Sequence, residues 1–338
     1  MVILVTGGNG HLGRCLVEAL QERGDTVRVL ALAGEDTSWL EERGVEVYRG
    51  DVRRPETLTA PMRGSEGVFH LAAMIGVWRP FEDYHAVNVA GTENVCRAAL
   101  AEGVRRLVHV SSWTIYGMGR GAPVSEEHPL KPLREPHVLT KVAGDQLVRR
   151  MIAEEGLPAV IIRPGTFFGP GDELHFGRIA DRIRAGRWIV IGSGENALPL
   201  VCTTDVVHGL LLALDREGAV GNAYNITNDR PLTQREFLDA IAREIGAEPP
   251  RLRVPYRPLY AVACADEQLV KRTRATRPPV VTRLGVKLFG TDNRHAIEKA
   301  RDELGYTPEV SLREGVRLAA AWYGTRGAPA PVPVASPA

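Results

Sequence analysis

The first thirteen residues restrict the fold more than anything that follows them. "VILVT" (2–6) is a short apolar run, and "TGGNGHLG" (6–13) follows it at once, with Gly7, Gly10 and Gly13 three apart. Glycine permits a tight turn and lets a pyrophosphate approach backbone N–H groups. The helix that opens behind the turn adds partial positive charge at its N-terminus. A glycine motif alone is a weak signal. A strand before it and a helix after it are the context that a dinucleotide requires.

The strand–helix rhythm continues through the first half. Apolar, β-rich runs occur at 26–32 ("TVRVLAL"), 45–50 ("VEVYRG"), 67–72 ("GVFHLA"), 106–112 ("RLVHVSS") and 159–165 ("AVIIRPG"), with helical patterns between them at 82–102 and 138–155. Alternation of this kind predicts an α/β fold, a doubly wound parallel sheet covered on both faces. After residue 170 the pattern changes. Helices are expected at 174–185, 233–246 and 311–323, with short strands near 188–191 and 223–227. The expected division is a dinucleotide-binding domain over 1–171, a mainly substrate-binding α/β region over 172–326 and a disordered tail over 327–338. Residues 199–227, including "DVVHGLLLAL" (205–214), are expected to rejoin the first domain. Residues 250–290, rich in Pro, Arg and apolar residues, are the least regular.

Several function classes are disfavoured by bulk properties. The net charge is +1, and no Lys/Arg run suggests nucleic acid or an anionic membrane as partner. Cys15, Cys96, Cys202 and Cys264 are scattered, with no CxxC pair, which predicts free thiols and no metal site. The opening apolar run is too short for a signal peptide, and no stretch reaches eighteen apolar residues. A cytoplasmic enzyme is the expectation, with a small molecule as its partner.

Asp51, in "RGDV" at the end of the third run, can accept a hydrogen bond from an adenine amino group, with Val52 against the ring. An acid at the end of the second strand would bind a ribose 2′-hydroxyl, and an arginine there would suit a 2′-phosphate. This chain reads "VLALAGED". Ala31 and Leu32 offer neither group, and Glu35 and Asp36 come late. With no cation at the strand end, NAD is favoured over NADP.

"SSWTIYG" (111–117), "NVAGTENV" (88–95), "FHLAA" (69–73), "IIRPGTFFGPGD" (161–172) and "KARDELGYTP" (299–308) complete the pattern. With the glycine turn and Lys141, they make the chain resemble the extended short-chain dehydrogenases/reductases, the NAD-dependent epimerase/dehydratase superfamily, over nearly its whole length. The C-terminal segments are most similar to the 3β-hydroxysteroid dehydrogenase and dihydroflavonol reductase branch. "ALPLVCTTDVV" lacks the arginine that nucleotide-sugar members carry there, which points to an apolar substrate. The resemblance implies a Rossmann fold and a homodimer built on helices near 82–102 and 138–155. It also implies roles for particular residues. Gly7, Gly10, His11, Leu12, Gly13, Asp51, Val52, Leu71, Ala72, Ala73, Pro164 and Gly165 would face the cofactor. Ser112 would hydrogen-bond the reacting oxygen, Lys141 would hold the nicotinamide ribose, and Asn88 would lie near that lysine.

One position breaks the pattern. The family's acid/base tyrosine falls at 137, in "EPHVLTK", and this chain has His137 there. Tyr116 and Tyr84 are the phenols that could substitute from elsewhere. A histidine nitrogen reaches roughly 2 Å less far than a tyrosine hydroxyl. Lys141 and an oxidised nicotinamide both disfavour a second cation, so the imidazole should be neutral, a proton acceptor better suited to alcohol oxidation than to carbonyl reduction. The leading expectation is an atypical NAD(P)-dependent oxidoreductase acting on a hydroxyl or ketone of an apolar, cyclic small molecule, with Ser112, His137, Lys141 and Asn88 at its centre. A non-redox lyase, isomerase, cyclase or epimerase that retains the dinucleotide, and a silent NAD(P)-binding regulator, are the alternatives.

Overall fold

In chain order the strands are β1 (Val2–Thr6), β2 (Thr26–Ala31), β3 (Glu46–Arg49), β4 (Gly67–His70), β5 (Arg106–Val110), β6 (Ala159–Pro164), β7 (Thr166–Phe168), β8 (Val190–Ile191), β9 (Leu200–Cys202), β10 (Ala223–Ile226) and β11 (Arg253–Val254). They are seen in a computed structural model that describes residues 1–76, 78–273 and 278–326. The expected tail, 327–338, lies outside the described residues. Seven strands form one parallel sheet in the order β10-β6-β5-β4-β1-β2-β3. The first six match the six runs read from sequence to within a few residues at their ends.

Burial on both faces explains why the strands other than the edge strand β3 read as largely apolar runs. Ile3 and Val5 pack with Leu16, Val17 and Leu210, beneath the helices His11–Glu22 and Thr203–Asp215. Leu4 faces the other way and packs with Val68, Val95 and Val148, beneath Thr92–Ala101 and Pro136–Glu155. Burying each such side chain contributes about 1.5–3 kcal/mol. The order places β2 on one side of β1 and β4 on the other. The crevice at their carboxyl ends is therefore the topological switch point where α/β sheets bind ligands.

Two helical runs position the site. Phe81–His85, Ala86–Gly91 and Thr92–Ala101 follow one another directly, and the middle segment is a π-helical turn. Such turns are frequent at functional sites. Pro136–Glu155 begins with Pro136 in its first turn, and the Glu135 carboxylate accepts the Val138 N–H at 3.1 Å as its cap. The two runs meet closely, since a Cβ on Gly144 would lie 2.6 Å from the Asn88 carbonyl oxygen.

The remaining residues build a smaller lobe around Phe168, Phe176, Leu198, Phe237 and Val316. Its strands pair as β7 with β9 and β8 with β11. Residues 205–214 lie within the helix Thr203–Asp215, and β10 is the later strand that enters the large sheet beside β6. The stretch 250–290 is more regular than its sequence suggests, with helices Tyr256–Thr273 and Arg283–Gly290. The reason is Glu267. It is buried in the middle of the inner face and pairs with Arg283 at 2.6 Å, so a charge interrupts the apolar period.

Several buried histidines make the fold sensitive to acid. Burial holds His70 down to about 3 and His295 down to about 4, and it pushes His109 well below its ordinary value. Each binds a proton more readily when unfolded, near pH ~6.5. The unfolded chain therefore gains protons first, and stability falls as pH drops from about 6.5 towards 4. Glu126 and Glu135, raised by burial, oppose this at the lower end of that window. Thermal melts are expected to be level near neutral pH and to decline steadily below pH ~6.5. A melting temperature unchanged down to pH ~5 would contradict this reading of the histidines.

Candidate active site

The glycines of the turn do different things. Gly7 has φ +75°, and a Cβ there would lie 2.8 Å from the Ala72 nitrogen. The loop after β4 sits against it, with the Leu71 N–H donating to the Thr6 carbonyl at 3.1 Å and the Ala72 N–H to Thr6 Oγ1 at 3.3 Å. A Cβ on Gly13 would stand 2.2 Å from the Gly7 carbonyl oxygen, so the helix rests directly on the turn. Gly10 is different. It is exposed, its φ is an ordinary −73°, and a Cβ would meet only the Gly7 oxygen at 3.4 Å. No side chain caps the helix at Gly10, and its first turn carries no acid. The first-turn N–H groups of His11 and Leu12 fit the pyrophosphate of a dinucleotide, while the Gly10 N–H donates to the Gly7 carbonyl at 3.1 Å.

The other expected cofactor residues surround this crevice at several depths. His11 Nε2 bonds Thr203 Oγ1 at 2.8 Å, while Leu12 is buried. The Asp51 carboxylate is engaged by Arg53 Nε at 3.0 and 2.9 Å, and that pairing holds its pKa low. Val52 is buried against Gly91. Pro164 ends β6, and Gly165 donates to the Ile226 carbonyl at 2.8 Å. A Cβ on Gly165 would lie 2.5 Å from the Pro199 oxygen, which explains the glycine.

Two residues beyond Ala72, the structure gathers Asn88 and His137 around Met74. Asn88 clasps the Met74 backbone from both sides, accepting its N–H at 2.8 Å and donating to its carbonyl at 3.2 Å. Asn88 also donates to Thr140 Oγ1 at 3.1 Å. The Met74 carbonyl then receives His137 Nδ1 at 3.2 Å. A carbonyl can only accept, so Nδ1 carries the hydrogen and Nε2 keeps its lone pair. Burial lowers the His137 pKa to about 4, the Lys141 charge adds to that, and the Met74 bond opposes it. Lys141 is buried, donates to the Val110 carbonyl at 2.7 Å and is lowered by burial to about 8. Ser112 accepts the Thr114 N–H at 3.2 Å and shares a 2.8 Å bond with the Thr114 hydroxyl. Among the described residues it makes no bond to His137.

The two substitute tyrosines part company here. The Tyr116 hydroxyl is buried, donates to Asn225 Oδ1 at 2.8 Å and accepts from Arg163 at 2.6 Å, in the network that joins Arg163 to Asp145. It is structural. Tyr84 packs its ring 6.3 Å from the His137 ring, and burial raises its pKa to about 12, which leaves a weak acid.

Some contributors left little trace in the sequence. Met74 acts through its backbone. Asp172 lies inside a quoted motif, and its carboxylate caps the next turn by accepting the His175 and Phe176 N–H groups, both at 3.0 Å. His175, with Thr166, borders a small apolar cavity, with room for about one water molecule, walled by Phe168, Phe176, Leu198 and Phe237. Among the described residues no His, Cys, Asp and Glu cluster could hold a metal ion, and no helix is long and apolar enough to cross a membrane.

The chain has known relatives. The 2-alkyl-3-oxoalkanoate reductase of Stenotrophomonas maltophilia is 32% identical over 327 residues, covering 94% of this chain and 98% of its own. The decarboxylating sterol-4-alpha-carboxylate 3-dehydrogenase of Mus musculus is 31% identical over 323 residues, covering 92% and 88%. Among solved structures, the Thermus thermophilus UDP-glucose 4-epimerase in complex with NAD superposes with a TM-score of 0.75 at 27% identity, covering 97% of this chain and 100% of that one. Residues 3–227, from β1 to just past β10, match the model of the NAD dependent epimerase/dehydratase family, and the chain belongs to that family.

Proposed function

We propose that this protein is an NAD-dependent oxidoreductase that interconverts a hydroxyl and a ketone on an apolar substrate, with His137 as its proton-transfer group. The observation that carries this reading is the His137 Nδ1 bond to Met74, which leaves Nε2 free to accept a proton. The dinucleotide, when bound, supplies hydride exchange at the substrate carbon. His137 takes the hydroxyl proton during oxidation, and Lys141 favours the neutral imidazole to which it must return. Ser112, partly exposed above β5, orients the substrate oxygen. The apolar body of the substrate lies toward the smaller lobe built around Phe168, Phe176 and Phe237. Leu198, fully buried, stands in the segment where nucleotide-sugar enzymes would need a cation.

Two relatives support the substrate class, since their names specify an alkyl oxoacid and a sterol carboxylate. The test is a panel of 2-alkyl-3-hydroxyalkanoic acids, 3β-hydroxysterols and nucleotide sugars with NAD+, followed at the absorbance band of the reduced nicotinamide. Turnover restricted to nucleotide sugars would sink the apolar reading. Product formed without any net change in that band would select a non-redox enzyme instead.

The proposal includes a homodimer through the Phe81–Ala101 run and Pro136–Glu155. Ala86, Ala90, Leu139 and Ala143 stay half-buried on these helices rather than joining the core. Light scattering should give twice the chain mass of 36.9 kDa. A monomer at micromolar concentration refutes it.

A further inference from the structure

We propose that Glu35 reads the adenosine ribose and selects NAD over NADP. The inference rests on the cofactor reading above and adds the residue that makes the choice. The end of β2 presents nothing of use for it: Ala31 is buried, and Leu32 is an exposed apolar side chain. The chain then folds back. The Glu35 N–H donates to the Leu32 carbonyl at 3.2 Å across a turn in which Gly34 has φ +85°. That turn returns the Glu35 carboxylate to the strand end, where Oε2 accepts the Leu32 N–H at 3.0 Å. Oε1 accepts Asn9 Nδ2 at 3.1 Å. Asn9 stands between Gly8 and Gly10, so a single carboxylate is fastened both to the end of β2 and to the glycine turn.

This placement restores the acid that the strand itself lacks. Each carboxylate oxygen receives one protein donor and can accept another. Two open acceptor positions suit the adjacent 2′- and 3′-hydroxyls of a ribose, whereas a 2′-phosphate would bring like charge against the same atoms. The other late acid is turned away, since the Asp36 carboxylate accepts the Ser38 N–H at 3.0 Å and its hydroxyl at 2.6 Å. The nearby cations are committed to holding the loop. Arg49 donates to the Leu32 carbonyl at 3.3 Å and the Glu35 carbonyl at 2.8 Å, and bonds the Thr37 hydroxyl. Arg14 donates to the Asn9 carbonyl at 3.1 Å and to Asn9 Oδ1 at 2.8 Å, with its guanidinium 5.1 Å from the Trp39 ring.

Calorimetric titration of NAD+ and NADP+ into the native protein, Glu35→Gln and Glu35→Ser tests the assignment without any turnover assay. The native protein should bind NAD+ at least about tenfold more tightly than NADP+. Both variants should lose about 10- to 100-fold in NAD+ affinity, the range expected for charge-assisted hydrogen bonds, and bind NADP+ as well as the native protein or better. Circular dichroism melts confirm that the loop variants remain folded, and Asp36→Asn serves as the control with an unchanged ratio. An NAD+/NADP+ ratio that both variants leave untouched overturns the assignment alone. So does a native preference for NADP+, which would make Arg14 the reader. A native protein that binds neither overturns the cofactor reading with it.

Discussion

Replacing His137 with alanine is expected to slow NAD-linked alcohol oxidation by about 10²- to 10⁴-fold, the usual worth of a positioned acid/base. Cofactor affinity should stay nearly intact, because the helix start behind the glycine turn, not His137, holds the pyrophosphate. The pH profile gives a second readout. A base must be unprotonated to act, and His137 is lowered to about 4, so its share of the oxidation rate should be flat through neutral pH and fall only as pH approaches that value. His137→Tyr should change this shape. A phenol titrates near pH ~10 unless its neighbours lower it, so oxidation by that variant should climb with pH across the neutral and alkaline range. Its longer reach, by roughly 2 Å, either restores proton transfer or displaces a substrate seated deeper. Alanine turnover equal to native makes the histidine a bystander, with water or the substrate itself moving the proton.

Gly10→Leu should abolish dinucleotide binding, raising the dissociation constant by at least about 100-fold, while leaving the melting temperature unchanged. The separation of the two effects follows from geometry. The backbone at Gly10 is one that any residue adopts, and nothing in the protein crowds a side chain there. The space is open for a ligand to fill, and four added carbons would occupy it. Gly13→Ala is the contrasting case. Its Cβ would stand 2.2 Å from the Gly7 oxygen and 2.6 Å from the Gly8 Cα, so the backbone must move, at a cost of about 1–3 kcal/mol or more. Calorimetry paired with thermal melts distinguishes the variants. A Gly10→Leu protein that still binds NAD+ at native strength would remove the turn from the cofactor site.

The parts that the sequence reveals are those where one rule acts alone. Five strands of the sheet are readable because both of their faces are largely buried, and the half-exposed edge strand β3 because its β-rich run ends in a turn. Gly7, Gly10 and Gly13 are readable because the strand and helix around them are. Ser112, Asn88 and Lys141 come from the resemblance, and the structure gives Asn88 a task no spacing implies: it fixes the peptide that fixes the tautomer of His137. Met74 could not have been found, since any residue supplies a carbonyl. Tyr116 and Tyr84 are equivalent in sequence, and only Arg163 and Asn225, distant along the chain, show that Tyr116 is structural. Tyr256–Thr273 is hidden because Glu267 occupies its inner face and finds its partner sixteen residues later, in Arg283. Glu35 reads as an acid that comes too late, and the turn at Gly34 makes it timely.

The position of β10 governs how the molecule is made. The ribosome releases strands β1 to β6 first, and then the residues of β7, β8 and β9, before the edge partner of β6 appears. Until then the backbone groups of Ile161 and Ile162 lack the neighbours that Ala223 and Tyr224 will supply. The helix Thr203–Asp215, which covers Val108, Val160 and Ile162, is also late. No nascent chain that still lacks Ala223–Ile226 can close the sheet. An unpaired strand edge and an uncovered apolar face are what chaperones hold and what aggregates grow from. The dinucleotide crevice is encoded almost entirely in the first half of the chain, yet it depends on the second half to become a stable surface.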